Sequence, residues 1–467
     1  MNRQFHPVLG SVLLAAVDAG VVMGTTSIAV QVVHLQDPYL PVNAYGELWP
    51  FAAVFTVIFA MLGLYRQVAL GPAEELKRSF QGLTLGFLVA AALTFLAKVG
   101  SDYSRAIFLM SWMLALLVLP VVRHRARSLL ARMHLWGHPT VILGGGLTGR
   151  MLIRALRRSP ELGLHPVAVL DDGLVPGTTC EEVPCLGNLG NAKSVAKDLG
   201  IRHAVVAMPG ASTAVLRALE KANRDVYPHL LVVPNICGFV AAGVHGRDLG
   251  GVLGLEMRRN LLLSGPRGIK RTTDLLLSLI LALPIGLLVL LLALAIKLDS
   301  PGPVFFGHAR IGRGGRTFKA WKFRSMVSNS QEVLQKLLEE SPEARAEWEA
   351  DHKLRNDPRI TRVGKFLRMT SLDELPQAWN VLRGEMSFIG PRPIVAAEAV
   401  KYGEVMDLYE QVRPGISGLW QVSGRNDTTY DERVALDDYY VRNWSVWLDL
   451  HILIRTVKVV LFGKGAY

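Results

Sequence analysis

The sequence predicts three regions of different fold class: an α-helical four-span membrane domain over residues 1–135, a Rossmann-like α/β domain over 136–262, and a mainly α-helical monotopic domain over 263–467. Three observations carry this. Apolar residues make up 50% of the 467-residue chain and concentrate in blocks, with a mean hydropathy of +0.29. Between the blocks lies a stretch of alternating short strands and helices. The last third is basic and polar, except for one apolar run at its start.

Four apolar blocks precede residue 125, at about Val8–His34, Leu48–Leu64, Phe80–Ala97 and Ala106–Val122. Each approaches the ~20 residues that cross a bilayer. Arg66, Lys77 and Arg78 lie between the second and third, and Arg123, His124, Arg125, Arg127 and Arg132 follow the fourth. The other two gaps carry Asp37, Glu47 and Asp102. Positive-inside logic therefore puts both ends of the unit in the cytoplasm. The first block is long and lacks a small-residue cleavage site, so it reads as a span and not a cleaved leader. Cys180, Cys185 and Cys237 have no zinc-site spacing and read as structural thiols in a reducing compartment. The net charge of +12 suits positive flanks, anionic lipid or substrate phosphates. It is not interleaved with stacking aromatics on a nucleic-acid module, so no nucleic-acid partner is expected.

In the middle region Thr140–Gly144 reads as a strand running into Gly144-Gly145-Gly146-Leu147-Thr148-Gly149 and then a helix to Arg158. Further strands are predicted at Pro166–Asp171, His203–Met208 and His229–Val233. The G-x-G-x-x-G spacing makes Gly144, Gly146 and Gly149 candidates for a nucleotide's phosphates and Asp171 for its ribose. The same glycines also serve a tight turn and close helix packing. No tyrosine has a lysine four positions later, so the pair that short-chain sugar-nucleotide redox chemistry needs is missing. A regulatory or assembly role is the expectation.

The fifth apolar run, Thr272–Ile296, follows Lys270-Arg271 and is closed by Lys297. Pro284 interrupts it, which favours a bend, and positive charge flanks both ends. A re-entrant helix that returns to the cytoplasmic face fits both facts; a kinked full span is the alternative. No acidic residue occurs from Ser300 to Gln331, where Arg310, Arg313, Arg316, Lys319, Lys322 and Arg324 accumulate with several glycines. Such a stretch suits a phosphate-binding surface or a basic edge on lipid. A polar helix is expected over about Ser328–Leu354, and Asn443–Leu461 reads as an interfacial helix anchored by Trp444 and Trp447.

Residues 371–393 are the most informative. Asp373 and Glu374 adjoin on a short segment between Ser371 and Pro376, with Pro391-Arg392-Pro393 downstream. Adjacent carboxylates can divide phosphoryl chemistry, one attacking while the other holds a metal or handles a proton. A stiff Pro-Arg-Pro aims a guanidinium at phosphate. The alternative is an acidic first turn complementing a helix dipole.

The runs KRTTD, SPGPVFFGHARIGRGG, FKAWKFRSM, NDPRIT, TSLDELPQ, SFIGPRP and RPGISGLWQVSGRND, all within 268–467, resemble the monotopic bacterial sugar transferases, the polyprenol-phosphate phosphoglycosyl transferases. With the four spans and the middle domain, the whole chain is similar to the large form of that family. The resemblance implies a ping-pong reaction in which Asp373 attacks the β-phosphate of UDP-galactose or UDP-glucose and passes the sugar phosphate to undecaprenyl phosphate. It further implies that Glu374, with Asp373 beside it, holds Mg²⁺ or that Glu374 assists proton transfer, and phosphate contacts from Lys322, Arg324, Arg368 and Arg392. A homodimer on the bacterial inner membrane, with its chemistry on the cytoplasmic face, is also implied. Met369 departs from the pattern, standing where the family usually carries a basic residue. Two other classes compete: a membrane-bound nucleotide-sugar oxidoreductase or dehydratase, and a nucleotide-sensing scaffold indifferent to replacement of Asp373.

Overall fold

The computed structural model describes residues 6–40, 42–46, 49–66, 70–96, 103–212, 214–215, 219, 221, 225–233, 244–248, 253–257, 260–351, 354, 357–423 and 429–462. The chain forms two compact units, Met1–Phe239 and Val240–Tyr467.

The first unit begins with α1 (Pro7–His34), the short α2 (Val42–Gly46), α3 (Phe51–Met61), α4 (Pro72–Leu96) and α5 (Arg105–Arg132). Among the described residues, four helices are long and apolar enough to cross a membrane: Val8–His34, Pro72–Leu96, Arg105–Arg132 and Ser264–Asp299. The second expected span, 48–64, is corrected by the structure. Its helix has only 11 residues, roughly 16 Å at the α-helical rise, about half the hydrocarbon thickness. Pro50 precedes it, and Gly63, at φ +71°, follows in a turn. Phe55, Ile58 and Phe59 nevertheless pack on Leu83, Phe87, Ala115 and Leu119 of α4 and α5. Arg123 and Arg127, two of the positive flanks that follow the fourth apolar block, are not exposed. Both are buried, Arg123 paired with Asp18 and with Glu75 at 2.9 Å, and Arg127 with Glu75. Charges removed from water need partners, and here α1 and α4 supply them to the arginines of α5.

The α/β part of this unit comprises β1 (His138–Leu143), α6 (Leu147–Arg158), β2 (Leu164–Leu170), β3 (Thr179–Cys180), β4 (Val183–Gly187), α7 (Ala192–Leu199), β5 (His203–Val206) and β6 (His229–Val232). The sheet order is β3-β4-β2-β1-β5-β6. All pairings are parallel except β3 with β4. Buried Val141, Leu143, Ala168, Leu170, Ala204 and Val206 form one core layer and Ile142, Val169 and Val205 the other, as a sheet covered on both faces requires. The glycine turn is built for packing. A β carbon on Gly149 would lie 2.0 Å from the Gly144 carbonyl oxygen. Asp171 accepts hydrogen bonds from Gly145 N (2.6 Å) and Gly173 N (2.7 Å), so its carboxylate closes the turn itself. Cys180 and Cys185 are buried free thiols; Cys237 lies outside the described residues.

The second unit starts with the hairpin β7 (Val244–Asp248) and β8 (Leu253–Met257), then α8 (Ser264–Asp299), a single 36-residue helix containing Pro284. Next come the antiparallel pair β9 (Phe305–Ile311) and β10 (Thr317–Phe323). The expected polar helix is two, α9 (Ser330–Glu340) and α10 (Pro342–Asp351), because Pro342 suits a helix start and not its interior. α11 (Arg362–Thr370), a 3₁₀ turn at Leu372–Glu374, and α12 (Gln377–Arg383) follow. β11 (Ser387–Ile389), α13 (Met406–Tyr409), β12 (Gly415–Ser417), α14 (Leu419–Ser423), α15 (Tyr430–Asn443) and α16 (Val446–Phe462) complete it. The interfacial reading of the closing segment is corrected at its start. Trp444 is 3% exposed and donates its indole N–H to Asp449 at 3.0 Å, while Leu448 and Ile452 are buried with it. That turn is core.

Candidate active site

Local sequence explains the corner that carries the carboxylates. Thr361 caps α11, its hydroxyl accepting from Gly364 N at 2.9 Å. Gly364 sits so close to the preceding chain that a β carbon there would lie 2.0 Å from the Ser325 carbonyl oxygen. The helix ends at Ser371, held at φ +57°, a conformation uncommon outside glycine. The chain then makes the Leu372–Glu374 turn, and Pro376 leads into α12. Asp373 and Glu374 are thereby presented side by side on a tight corner between two helices.

A strand cation meets both. Lys322 Nζ lies 2.6 Å from Glu374 Oε1 and 3.4 Å from Asp373 Oδ2. The acidic first-turn reading does not account for this arrangement, since the carboxylates face an ammonium from β10. Asn380, fully buried, sets the register. Its Oδ1 accepts from Trp321 N (3.1 Å), and its Nδ2 donates to the Lys319 carbonyl (2.8 Å) and to Glu385 Oε2 (2.6 Å). One side chain thus ties α12 to the residues flanking Lys322. Burial pushes the Asp373 carboxyl above its ordinary range; Lys322 opposes this, Glu374 adds to it, and Arg368 also opposes. Burial works against the Lys322 ammonium as well, but Glu374 and then Asp373 outweigh it and hold that group above its ordinary value. Lys322 is therefore held as an ammonium between the two acids.

These groups open onto a cavity of about 680 Å³ that Arg310, Arg368, Arg392, Trp420 and Gln421 also line. Arg368 donates from Nε to Ser325 Oγ at 2.9 Å. Arg310 approaches Glu398 at 3.7 Å. The Arg392 guanidinium lies 5.1 Å from the Trp420 ring centre, and Arg433 lies 4.8 Å from the same ring, distances at which cations are attracted to the π face. The Pro391–Pro393 backbone is pinned on both sides. Arg392 N donates to Asp437 (3.2 Å), and Tyr409 donates to the Arg392 carbonyl (2.9 Å). Asp437, which also accepts from Tyr402 at 2.8 Å, is so buried that its carboxyl is pushed up to about 7.

Of the expected site residues, the structure brings Asp373, Glu374, Lys322, Arg368 and Arg392 together on one cavity. Arg324 borders it with a different task. Its terminal nitrogens donate to the Pro301 carbonyl (2.8 Å), the Ser300 carbonyl (2.7 Å) and Ser300 Oγ (2.9 Å), leaving only Nε without a partner. It fastens the turn after α8 while lining the same cavity. Gly144, Gly146, Gly149 and Asp171 belong to the other unit. Trp420, Asn380 and Asp437 were not anticipated, although Trp420 stands inside the RPGISGLWQVSGRND run.

Two carboxylates beside a basic cavity fit a magnesium ion, which is commonly held by one or two protein carboxylates plus substrate phosphates. Among the described residues, Asp373 Oδ1 and Glu374 Oε2 carry no hydrogen bond, and no group of three or more His, Cys, Asp or Glu forms a closed metal cage.

Residues 266–463 match the bacterial sugar transferase family, and residues 60–234 match a family described as a CoA-binding domain. The chain is 39% identical over 400 residues to the UDP-galactose-lipid carrier transferase of Erwinia amylovora, an alignment covering 84% of this chain and 82% of the relative. It is 38% identical to the undecaprenyl-phosphate galactose phosphotransferase of Salmonella typhimurium, again over 84% of this chain and 82% of the relative. Identity to the UDP-glucose:undecaprenyl-phosphate glucose-1-phosphate transferase of Escherichia coli is 33%, over 89% of each chain. With the Asp373–Glu374 corner, its Lys322 bridge and relatives aligned along most of its length, the chain belongs to the bacterial sugar transferase family.

Proposed function

We propose that the protein transfers a hexose-1-phosphate, galactose-1-phosphate, from a UDP-sugar to undecaprenyl phosphate, giving undecaprenyl-diphosphate-sugar and UMP at the first membrane step of O-antigen, capsule or exopolysaccharide assembly. The observation that carries this is the Lys322-bridged Asp373–Glu374 pair on a basic cavity of about 680 Å³. The names of the Erwinia and Salmonella relatives favour galactose; that of the Escherichia relative makes glucose the second reading.

An oxygen of the ionised Asp373 carboxylate attacks the β-phosphorus of the donor. The bond from that phosphorus to the bridging oxygen breaks, and UMP leaves with the electron pair. The resulting aspartyl-phosphosugar is attacked at phosphorus by an oxygen of undecaprenyl phosphate, which restores the carboxylate. Magnesium, when bound at Glu374 with Asp373 beside it, supplies charge neutralisation to the donor's phosphates. Lys322, Arg368 and Arg392 orient the diphosphate and offset charge as a carboxylate approaches it.

Helix α8 is proposed to be re-entrant. Arg271, near its start, donates to the Val381 and Leu382 carbonyls at 2.6 and 2.8 Å, and Asp299 at its end accepts from Val363 N at 3.0 Å. Both ends thus meet the same α11–α12 segment, and Pro284 lies between them. That supports a helix returning to one face, at the cytoplasmic side of a bacterial inner membrane where nucleotide sugars are made. Cysteines placed at both ends should label from the same side of sealed vesicles. Assembly as a homodimer is proposed from the family resemblance and is checked by the mass of the purified protein.

The deciding experiment measures UMP release from membranes supplied with undecaprenyl phosphate, Mg²⁺ and either UDP-galactose or UDP-glucose. Release with one donor that vanishes in Asp373→Asn supports the reading and identifies the sugar. Release that survives the substitution removes Asp373 as nucleophile.

A further inference from the structure

The cavity at Asp373 does not use all of this unit's arginines. Arg267 and Arg271 are four residues apart at the start of α8 and share one helical face. Arg267, Arg313 and Arg413 line a separate cleft of about 30 Å³, bounded also by Asp274 and Ser387. That is more than the space one water needs and suits a single tetrahedral anion. A β carbon on Gly384 would lie 3.5 Å from Arg271 Nη2 and 3.8 Å from Arg413 Nη2, so both guanidinium ends converge on that glycine.

The nearby carboxylates are largely committed, with Asp274 Oδ2 the exception. Lys270 takes Asp449 at 2.6 Å and Asp274 at 3.8 Å. Asp274 also accepts from Ser387 Oγ (2.9 Å) and Phe388 N (3.2 Å), and Asp449 from Tyr440 (2.7 Å) and Trp444 (3.0 Å). The Glu410 carboxylate lies toward Gly315. Arg271 spends two donors on the Val381 and Leu382 carbonyls and Arg413 spends Nε on the Gly384 carbonyl. Among the described residues, the terminal nitrogens of Arg413 and the whole Arg313 guanidinium have no hydrogen-bond partner. Burial, then Arg271 and Arg313, hold the Arg413 guanidinium below its ordinary range. Four guanidinium groups face one carboxylate, Asp274, which Lys270 already shares, and the excess positive charge is relieved by an incoming anion.

We propose that Arg267, Arg271, Arg313 and Arg413 form a second anion site, distinct from the Asp373 cavity, that takes the phosphate of an anionic membrane-lipid headgroup. Guanidinium forks match phosphate oxygens in pairs. Depth points to a lipid as the source. The site stands at the polar start of α8, and one to two turns later Leu275, Leu276, Leu279 and Ile280 are exposed, Leu279 by 74%. A headgroup held there fixes how deep the apolar part of α8 sits. The inference does not depend on the sugar donor or on the covalent step.

Native mass spectrometry of the full-length protein in detergent, titrated with short-chain phosphatidylglycerol, phosphatidylcholine or inorganic phosphate, tests it. Wild type should hold one phosphatidylglycerol per chain and no phosphatidylcholine. Arg313→Gln and Arg413→Gln should each weaken that binding roughly tenfold or more, the value of one charge-assisted hydrogen bond. Arg313 makes no bond within the described fold, so its variant keeps the structure and should release UMP at the wild-type rate. Unchanged phosphatidylglycerol binding in both variants would overturn the site. Equal binding of phosphatidylcholine would do the same. Inorganic phosphate binding as tightly would overturn the lipid as the source, and loss of UMP release in Arg313→Gln would overturn the separation from the donor cavity.

Discussion

Lys322→Met removes the one ammonium that touches both carboxylates while keeping most of the side-chain volume. Two unit charges about 4 Å apart attract by about 4 kcal/mol at the effective dielectric of a protein surface. The Lys322 side chain is 30% exposed and that of Glu374 32%, so solvent screening cuts each contact to roughly 1 kcal/mol. Two contacts, at 2.6 and 3.4 Å, then contribute about 2 kcal/mol, or roughly a thirtyfold change in the population of the ionised pair. Burial already pushes Asp373 upward and Lys322 is the largest opposing influence, so its removal moves Asp373 further up. The nucleophile must be ionised, hence the acid limb of kcat/KM for UMP release moves to higher pH. At pH 7 kcat/KM falls between tenfold and a hundredfold, because the donor diphosphate also loses a cation. Lys322→Arg should restore part of both effects. Initial UMP release from pH 5 to 9, at saturating undecaprenyl phosphate, measures them. An acid limb that stays in place in Lys322→Met, whatever the rate does, would refute the claim that this lysine sets the charge on Asp373.

Three more outcomes are expected. Asn380→Ala leaves Trp321 N and the Lys319 carbonyl without their bonds in a fully buried place, costing about 2–4 kcal/mol, read as a lower thermal midpoint together with slower UMP release. Gly364→Ala drives a methyl to within 2.0 Å of the Ser325 carbonyl oxygen, forcing α11 away at a cost of about 2–4 kcal/mol; a variant as stable and active as wild type would contradict the packing. In the α/β domain His203 stacks between His138 and His229, with ring centres 4.1 and 4.5 Å away, and burial first, then these neighbours, lower it from 6.5 to about 4. The unfolded chain takes this proton near pH 6.5 and the folded one only near pH 4, so the domain loses roughly 2 kcal/mol as pH falls across that window. Protection factors at β1 and β5, which correct exchange rates for their intrinsic slowing in acid, should fall accordingly, and His203→Gln should flatten the dependence.

Charge placement explains why the corner works. A buried acid pair beside a basic wall would be costly if either charge were left alone. Without substrate, Lys322 holds the acids and Glu398 answers Arg310 at 3.7 Å, while Arg392 rests over Trp420. In the proposed reaction a donor diphosphate would draw on these cations without leaving a carboxylate stranded, because Glu374 would then be free to hold a metal.

How far this was legible in the sequence depended on what each residue is for. The dyad and Lys322 could be read because reactive groups stand at fixed local spacings, and adjacent acids before a proline tell their own story. The parallel strands β1, β2, β5 and β6 were legible from short apolar runs bounded by turn residues, whereas β4, reading VPCLG, carries a proline and a glycine that mask it. Arg324 shows the limit most clearly. It lies two residues from Lys322 in the same basic run, and composition gives both the same value. Strand alternation alone would put both on one face; Lys322 within β10 meets the carboxylates, while Arg324, just past the strand's end and 8% exposed, turns back to the Ser300–Pro301 carbonyls. Asn380 and Asp437 were invisible for the converse reason. Their partners lie 59 and 45 residues away in the chain, and a buried amide or acid that satisfies a distant backbone N–H leaves no local pattern. A residue whose chemistry is spent on the protein's own backbone looks, in sequence, like one whose chemistry is spent on a ligand, and only the fold separates Arg324 from Lys322.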